Sequence, residues 1–432
     1  MLITRANPQT IKGSLTSLFF MDSNLLWQRK VLPSGLTVLL YPRASDMTTY
    51  LSTVINYGAN SDSEENAGCA HFLEHMIAGG SKERIEWSRA IEHLGGIYNP
   101  STNCEYTLNT VSVNPKKISA ASSILRNLIF NPHFEVKNLA LERKIILNEI
   151  ADVSDDPRQK VNEMLRKCLF KTHPIKRPVS GSKKTVRNLS LDTLQQSHIS
   201  NYVLPNIVLI MTGNFSDEDV ESVISDFETF QGRKTYSKRQ SFSEYGKPRK
   251  ELKLIWQGMN QTYLSMGVRT VPSKNDDAHI LDFINTILGS GTSSRLFVRV
   301  REKLGLAYDI SASHEIGLDY GYFAIDCSLK PNKTEQVITA IKKELAKLRG
   351  EPIQEEELQK CKNMISDEYM RLRDSSADFT EIIAENEIQF NYEYALIEYV
   401  KKINAVTPRN IIACANRYLQ EDNLSTALLS PK

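Results

Sequence analysis

No stretch of this 432-residue sequence is apolar over the ~20 residues that a bilayer crossing needs, so a helical membrane span is not expected. Cysteine is sparse and scattered: Cys69, Cys104, Cys168, Cys327, Cys361 and Cys414 include no C-x-x-C pair. That pattern offers neither a disulfide framework nor a structural zinc site, and it reads as reduced thiols in an intracellular protein. An excess of charge of one sign is missing too. The formal net charge is +2, which argues against a nucleic-acid backbone or an acidic membrane surface as the main partner. The N-terminus has no continuous apolar core, so an ordinary secretory signal is not expected. It also has no acidic residue before Asp22, and it carries Arg5, Lys12 and several hydroxyl residues. Residues 1–26 are therefore expected to be a short extension of a cytoplasmic protein, with targeting to the mitochondrial matrix as the alternative.

What remains is a globular composition, 41% hydrophobic and 24% charged, in a chain long enough for two domains. The run "RKVLPSGLTVLLYPR" places two apolar segments around Pro33-Ser34-Gly35, a hairpin pattern. "TTYLSTVINYGA", "EYTLNTVSV" and "NIVLIMTGNF" have the β-branched richness of strands. Residues 67–77, "ERIEWSRAIEHLGG", "KKISAASSILRNLIF" and "LALERKIILNEI" have helical periodicity. Residues 231–250 are polar, basic and poor in aliphatics, as an interdomain linker would be.

Beyond the linker the sequence echoes itself. "TTYLSTVINYG" is matched by "QTYLSMGVRTV", and "AHFLEHMIAGGS" by "AHILDFINTILGSG", which sets His279 opposite His71 and Asp282 opposite Glu74. Long-period similarity of this kind indicates two copies of one domain. The expected fold is α+β: two homologous domains, 27–230 and 251–432, each a mainly antiparallel sheet packed with helices. The second copy is degenerate, because Phe283 stands where the first has His75. It is expected to bind no zinc.

Histidine is scarce, 8 in the whole chain, yet His71 and His75 lie four residues apart with Glu74 between them. On a helix, positions i and i+4 share a face, so both imidazoles can meet one cation, with Glu74 near enough to reach a water on it. H-x-x-E-H is the inverted zincin signature, with the glutamate as general base. A catalytic zinc takes three protein ligands and leaves a position for water, so a third ligand must come from elsewhere in the chain. A solvated helix face could also carry such a triplet, but the small and apolar flanks "CAHFL" and "MIAGG" put the pair beside buried surface.

Together "HFLEHM", "LERKIILNEI" and "SSRLFVRVREKLGLAY" resemble, in order and over nearly the whole chain, the pitrilysin/insulinase family of zinc peptidases, in its mitochondrial-processing-peptidase-like branch. The resemblance implies Glu149 as third zinc ligand and Glu142 as its supporting acid. Taken without it, two glutamates on an amphipathic helix are more often solvent-facing charge. It further implies that Arg301 and Tyr308 hold substrate and steady the oxyanion, although "RVREKLG" alone reads as a solvated helix end. Asn99 matches an asparagine before the substrate-binding edge strand. Pro100 follows it where the family usually has alanine, and proline has no N–H to offer a substrate.

The implied function is zinc-dependent endopeptidase cleavage of extended peptides, with one zinc per chain. The physiological peptide, whether presequence, leader or general oligopeptide, is not readable. The implied assembly is a homodimer, or a heterodimer with a related subunit. The alternatives are a peptide-binding scaffold without catalysis, or the active half of a heterodimeric processing peptidase.

Overall fold

The structure, a computed structural model, describes residues 27–78, 82–233, 235–236, 238–244, 247–390 and 396–431, so the N-terminal extension lies outside it. Two sheets organise the chain. The first contains β1 (Gln28–Val31), β2 (Thr37–Pro42), β3 (Thr49–Ile55), β4 (Ile97–Thr102), β5 (Thr107–Val113) and β6 (Ile207–Gly213). Their order is β1-β2-β6-β3-β5-β4. The second contains β7 (Glu251–Ile255), β8 (Thr262–Arg269), β9 (Ala307–Ile316), β10 (Gly321–Leu329) and β11 (Ser425–Ser430), in the order β7-β11-β8-β10-β9. Neighbours are antiparallel except β2 with β6 and β7 with β11. The order β2-β6-β3-β5-β4 and its strand senses therefore recur in the second sheet. This is the duplication that the sequence echo indicates, carried into topology.

The local chemistry explains each start and stop. Between β1 and β2 the turn closes with Gly35 N–H donating to Leu32 O at 2.9 Å and Leu32 N–H to Leu36 O at 2.9 Å. Central β6 is buried along its length, as a continuous apolar run should be. Strand β4, "IYNPST", lacks the composition of a strand, and in the sequence only the resemblance points to an edge strand here; it begins at Ile97, so Asn99 lies within it and not before it. It forms because it is the sheet edge, where a proline is tolerated.

The first domain carries α1 (Cys69–Ala78), α2 (Lys82–His93), α3 (Ile118–Phe130), α4 (Val136–Asp155), α5 (Pro157–Leu169), α6 (Lys183–Asn188), α7 (Leu191–Asn201) and α8 (Asp217–Glu228). The second carries α9 (Ala278–Gly289), α10 (Thr334–Gly350), α11 (Glu355–Leu372), α12 (Ser376–Glu385), α13 (Leu396–Ala405) and α14 (Pro408–Tyr418). One face of the first sheet packs Leu40, Leu51, Val111 and Met211 against Phe72, Leu73 and Met76 of α1 and Leu125 of α3. Its other face is covered from the second domain: Phe379, Ile383 and Ala384 of α12 meet Leu39, Tyr41, Val54 and Ile210. Helix α5 returns the exchange, seating Met164, Leu165 and Leu169 against Ala324, Ala427 and Leu429 of the second sheet. Each domain thus buries an apolar sheet face with a helix of the other, and removing that helix would expose the face to water.

The segment between the domains does more than span them. Arg239 donates to Glu105 Oε2 of the first domain at 2.8 Å and to Asp319 Oδ1 of the second at 2.6 Å. Asp319 also meets His173 Nε2 at 2.9 Å and accepts from Phe242 N–H at 2.7 Å. Burial pushes the Asp319 carboxyl up, but the His173 and Phe242 hydrogen bonds and the Arg239 charge outweigh it and bring the group down to about 2. A carboxyl lowered in the fold adds stability above its unfolded value, and loses it as pH falls through the folded one. Asp319→Asn should therefore lower the onset temperature of thermal unfolding near pH 6. The difference from wild type should shrink as pH falls from the ordinary 3.8 towards about 2. A pH-independent difference would show that the charge of Asp319 is not what ties the domains.

Candidate metal centre

Helix α1 starts where a buried carboxylate collects its free amides. Asp62 accepts from Gly68 N–H at 2.9 Å, from Ala70 N–H at 3.3 Å and from the Tyr57 hydroxyl at 2.7 Å. Unpaired N–H groups of a first turn attract such an acid. Gly68 has φ +96°, and a Cβ there would lie 2.6 Å from Ser180 O, so no side chain fits. Beyond this cap the 3.6-residue period divides the helix. Phe72, Leu73, Met76 and Ile77 enter the core, which leaves His71, Glu74 and His75 on the half-buried flank.

That flank faces α4. His75 Nε2 is 3.4 Å from Glu149 Oε2, and His71 Nε2 is 3.9 Å from the same oxygen. The two imidazole rings lie 4.7 Å apart between centroids. One ligand atom from each of His71, His75 and Glu149 lies within 4.8 Å of the others. Glu142, two turns before Glu149 on α4, is only 3% exposed and meets His75 Nδ1 at 3.2 Å. A carboxylate on Nδ1 fixes the proton there and turns the Nε2 lone pair towards Glu149.

The protonation states suit a cation. Burial, with the neighbouring His75, pushes His71 down to about 4, so it is neutral with a lone pair to give at neutral pH. For His75, burial opposes the charged form, but the Glu142 hydrogen bond and the Glu149 and Glu74 charges outweigh it and raise it. Without a metal, the site therefore draws a proton to the place where a cation fits. Two imidazoles and one carboxylate form a donor set used by catalytic zinc, so the residues present fit that ion.

Glu74 turns from the histidines towards the sheet edge, where its Oε2 accepts from Thr102 Oγ1 at 2.6 Å. Burial raises its carboxyl, against the pull of the Thr102 hydrogen bond. Sequence reasoning missed Thr102. Its signal would have been the two-residue alternation of β4, which Pro100 and Asn99 obscure. The same alternation sets Asn99 with the exposed positions Ile97 and Ser101, on the face opposite Thr102.

The other expected residues lie in the second domain. Arg301 stands on a short π-helical segment, Phe297–Lys303, with its guanidinium 4.7 Å over the Phe297 ring. Tyr308 is 49% exposed near the start of β9, which is an edge strand like β4. Among the described residues, no hydrogen bond or ion pair joins either to the histidines of the same chain. In α9, Phe283 is fully buried, so that position faces core.

With this geometry in hand, comparison with known proteins is informative. The profile of "Insulinase (Peptidase family M16)" matches residues 37–183, and that of "Peptidase M16 inactive domain" matches residues 188–365. A protein of Mycobacterium leprae described as an uncharacterized zinc protease is 26% identical over 93% of this chain and 91% of its own. Another so described, from Bacillus subtilis, is 26% identical over 94% of this chain and 98% of its own. Among solved structures, a protease from Helicobacter pylori superposes with TM-score 0.86 at 20% identity, over 94% of this chain and 100% of that one. A chain from complex III2 of Candida albicans superposes with TM-score 0.81 at 17% identity, over 93% and 95%. At these identities the structural likenesses carry the fold and no activity.

Proposed function

The chain belongs to the insulinase family of M16 peptidases, and on that premise we propose that it is a zinc-dependent endopeptidase cutting extended peptides at the His71–His75–Glu149 centre. The observation that carries this reading is the convergence of three ligand atoms, from His71, His75 and Glu149, within 4.8 Å. His71, His75 and Glu149 would hold the zinc, which when bound would supply Lewis acidity for the scissile carbonyl and the attacking water.

The rest is done by the chain. Glu74 takes the proton of the attacking water and passes it to the leaving amine. Its raised carboxyl suits both steps, since a base closer to neutrality is also a usable acid. Glu142 holds the His75 ring in register through Nδ1. The open edge of β4 takes substrate as an added strand, which selects extended peptides over folded proteins. Pro100 offers no N–H to that strand, so pairing there is looser than on a complete edge.

Thr102 orients the base, and this yields a first expectation. Thr102→Val should lower kcat about tenfold with KM little changed, because one hydrogen bond to the Glu74 carboxylate is lost. Thr102→Ser, which keeps the hydroxyl, should restore most of it. Equal loss in both variants would show that the methyl packing, and not the hydrogen bond, matters.

Arg301 and Tyr308 are proposed to donate hydrogen bonds to the substrate carbonyl as it gains charge. The family resemblance implies a site enclosed between two subunits, so they are assigned to the centre of a second subunit, in a homodimer or a heterodimer with a related chain. Mixing Glu74→Gln and Arg301→Ala chains should then regain activity. In a random homodimer mixture about a quarter of wild-type sites are intact. No recovery after subunit exchange would place Arg301 outside the partner's site.

A second reading keeps the peptide groove without cleavage. Incubating the zinc-replete chain with unstructured peptides and identifying the products by mass spectrometry decides between them. New termini within the peptides support the endopeptidase, and intact peptides held by the chain support the binder.

A further inference from the structure

The second domain has a hollow where the first has its histidine–glutamate cluster. A cavity of about 410 Å³ opens beside α9, lined by its His279 and Asp282 together with side chains of α11, α12 and α13. That volume lies within the range of small-ligand sites.

Its chemistry is one-sided. Asp282, Glu368 and Glu385 line it, and no lysine or arginine does among the described residues. Asp282 is held by His314 Nδ1 at 2.6 Å and by the Tyr399 hydroxyl at 2.8 Å. No ion pair reaches Glu368 or Glu385 among the described residues. Glu385 accepts from Gln389 Nε2 at 3.1 Å, yet desolvation and the nearby Glu315 and Asp282 charges still raise its carboxyl. Tyr369 and Tyr399 line the hollow as well, their rings 4.7 Å apart between centroids.

Carboxylates and aromatic faces around one hollow attract a cation, and spacing decides which kind. Among the described residues, the group of three ligand residues whose atoms close to within 4.8 Å is His71, His75 and Glu149. The acids of the second hollow do not gather three such atoms around one point. A larger cation, which spreads its charge and lies flat on a ring, bridges them better.

We propose that this second-domain cavity binds an organic cation, a guanidinium or alkylammonium group, through Asp282, Glu368 and Glu385 and the rings of Tyr369 and Tyr399. Such a group is borne by an arginine or lysine of a bound peptide or by a free small amine. The site is separate from the metal centre and does not rest on the peptidase reading.

Calorimetric titration of the full chain with butylguanidinium and with neutral butylurea tests it. The cation should bind at least about tenfold more tightly than the urea. Glu385→Gln should weaken the cation about tenfold and leave bound zinc unchanged, since one compensating charge is lost. Glu368→Gln is the second variant, exposed like Glu385, with the same direction expected. A peptide bearing arginine, set against its citrulline twin, separates the sources. Affinity above that of butylguanidinium assigns the pocket to a peptide side chain, and equal affinity to a free cation. Equal binding of the two probes, binding unchanged in both variants, or no binding of butylguanidinium would overturn the proposal.

Discussion

Glu74→Gln will bind zinc as the wild type does and hydrolyse peptides about 10³-fold more slowly, or not at all. Glu74 lies beside the His71/His75 face but turns to Thr102, 2.6 Å away, and Glu149 is the carboxylate that closes on the imidazoles. The amide keeps the shape of the side chain, and through its NH₂ or its oxygen it can still pair with Thr102. It cannot accept a proton from the attacking water. General acid–base catalysis is worth roughly 10² to 10⁴ in rate, and here one residue serves both proton transfers. Metal content and single-turnover cleavage check this together. Full turnover would remove Glu74 from the base role, and loss of zinc would make it a ligand.

The second large effect separates two glutamates on α4. Glu149→Gln should release zinc and abolish activity, because a neutral amide is a poor zinc ligand and two histidines alone hold the ion weakly. Glu142→Gln should keep the ion but weaken it by about 10- to 100-fold, since its carboxylate meets the far nitrogen of His75. It should also destabilise the fold slightly, because the residue is buried and leaves an imperfect partner for Nδ1. Titration of both variants against a zinc chelator reads the difference. A metal-free Glu142 variant beside a metal-loaded Glu149 variant would reverse the assignment.

The histidine pair was readable because i and i+4 on a helix is a local relation, complete within five residues. Glu149 was not readable in that way. Only the packing of α4 on α1 brings it to the histidines, and no periodicity in either helix records which helix packs on which. Glu142 is the sharper case: an acid on an amphipathic helix reads as solvated, and it is buried here because His75 takes its charge. Strand β4 was hidden by its own composition, and with it the Thr102–Glu74 hydrogen bond. Likewise the polar residues 231–250 read as a spacer, yet Arg239 is drawn into a buried network by acids from both domains. The duplication was legible as a weak echo, and the repeated strand order gives it a physical form. The exchange of α5 and α12 between domains left no local trace, because an apolar stripe does not say which sheet it will cover.

Zinc titration of the metal-stripped chain, with peptide cleavage followed at each addition, tests the central claim most directly. Hydrolysis should rise in proportion to zinc and reach its plateau at one ion per chain. A chain that fills with one zinc and cleaves no peptide, or one that cleaves fully without the metal, would contradict it.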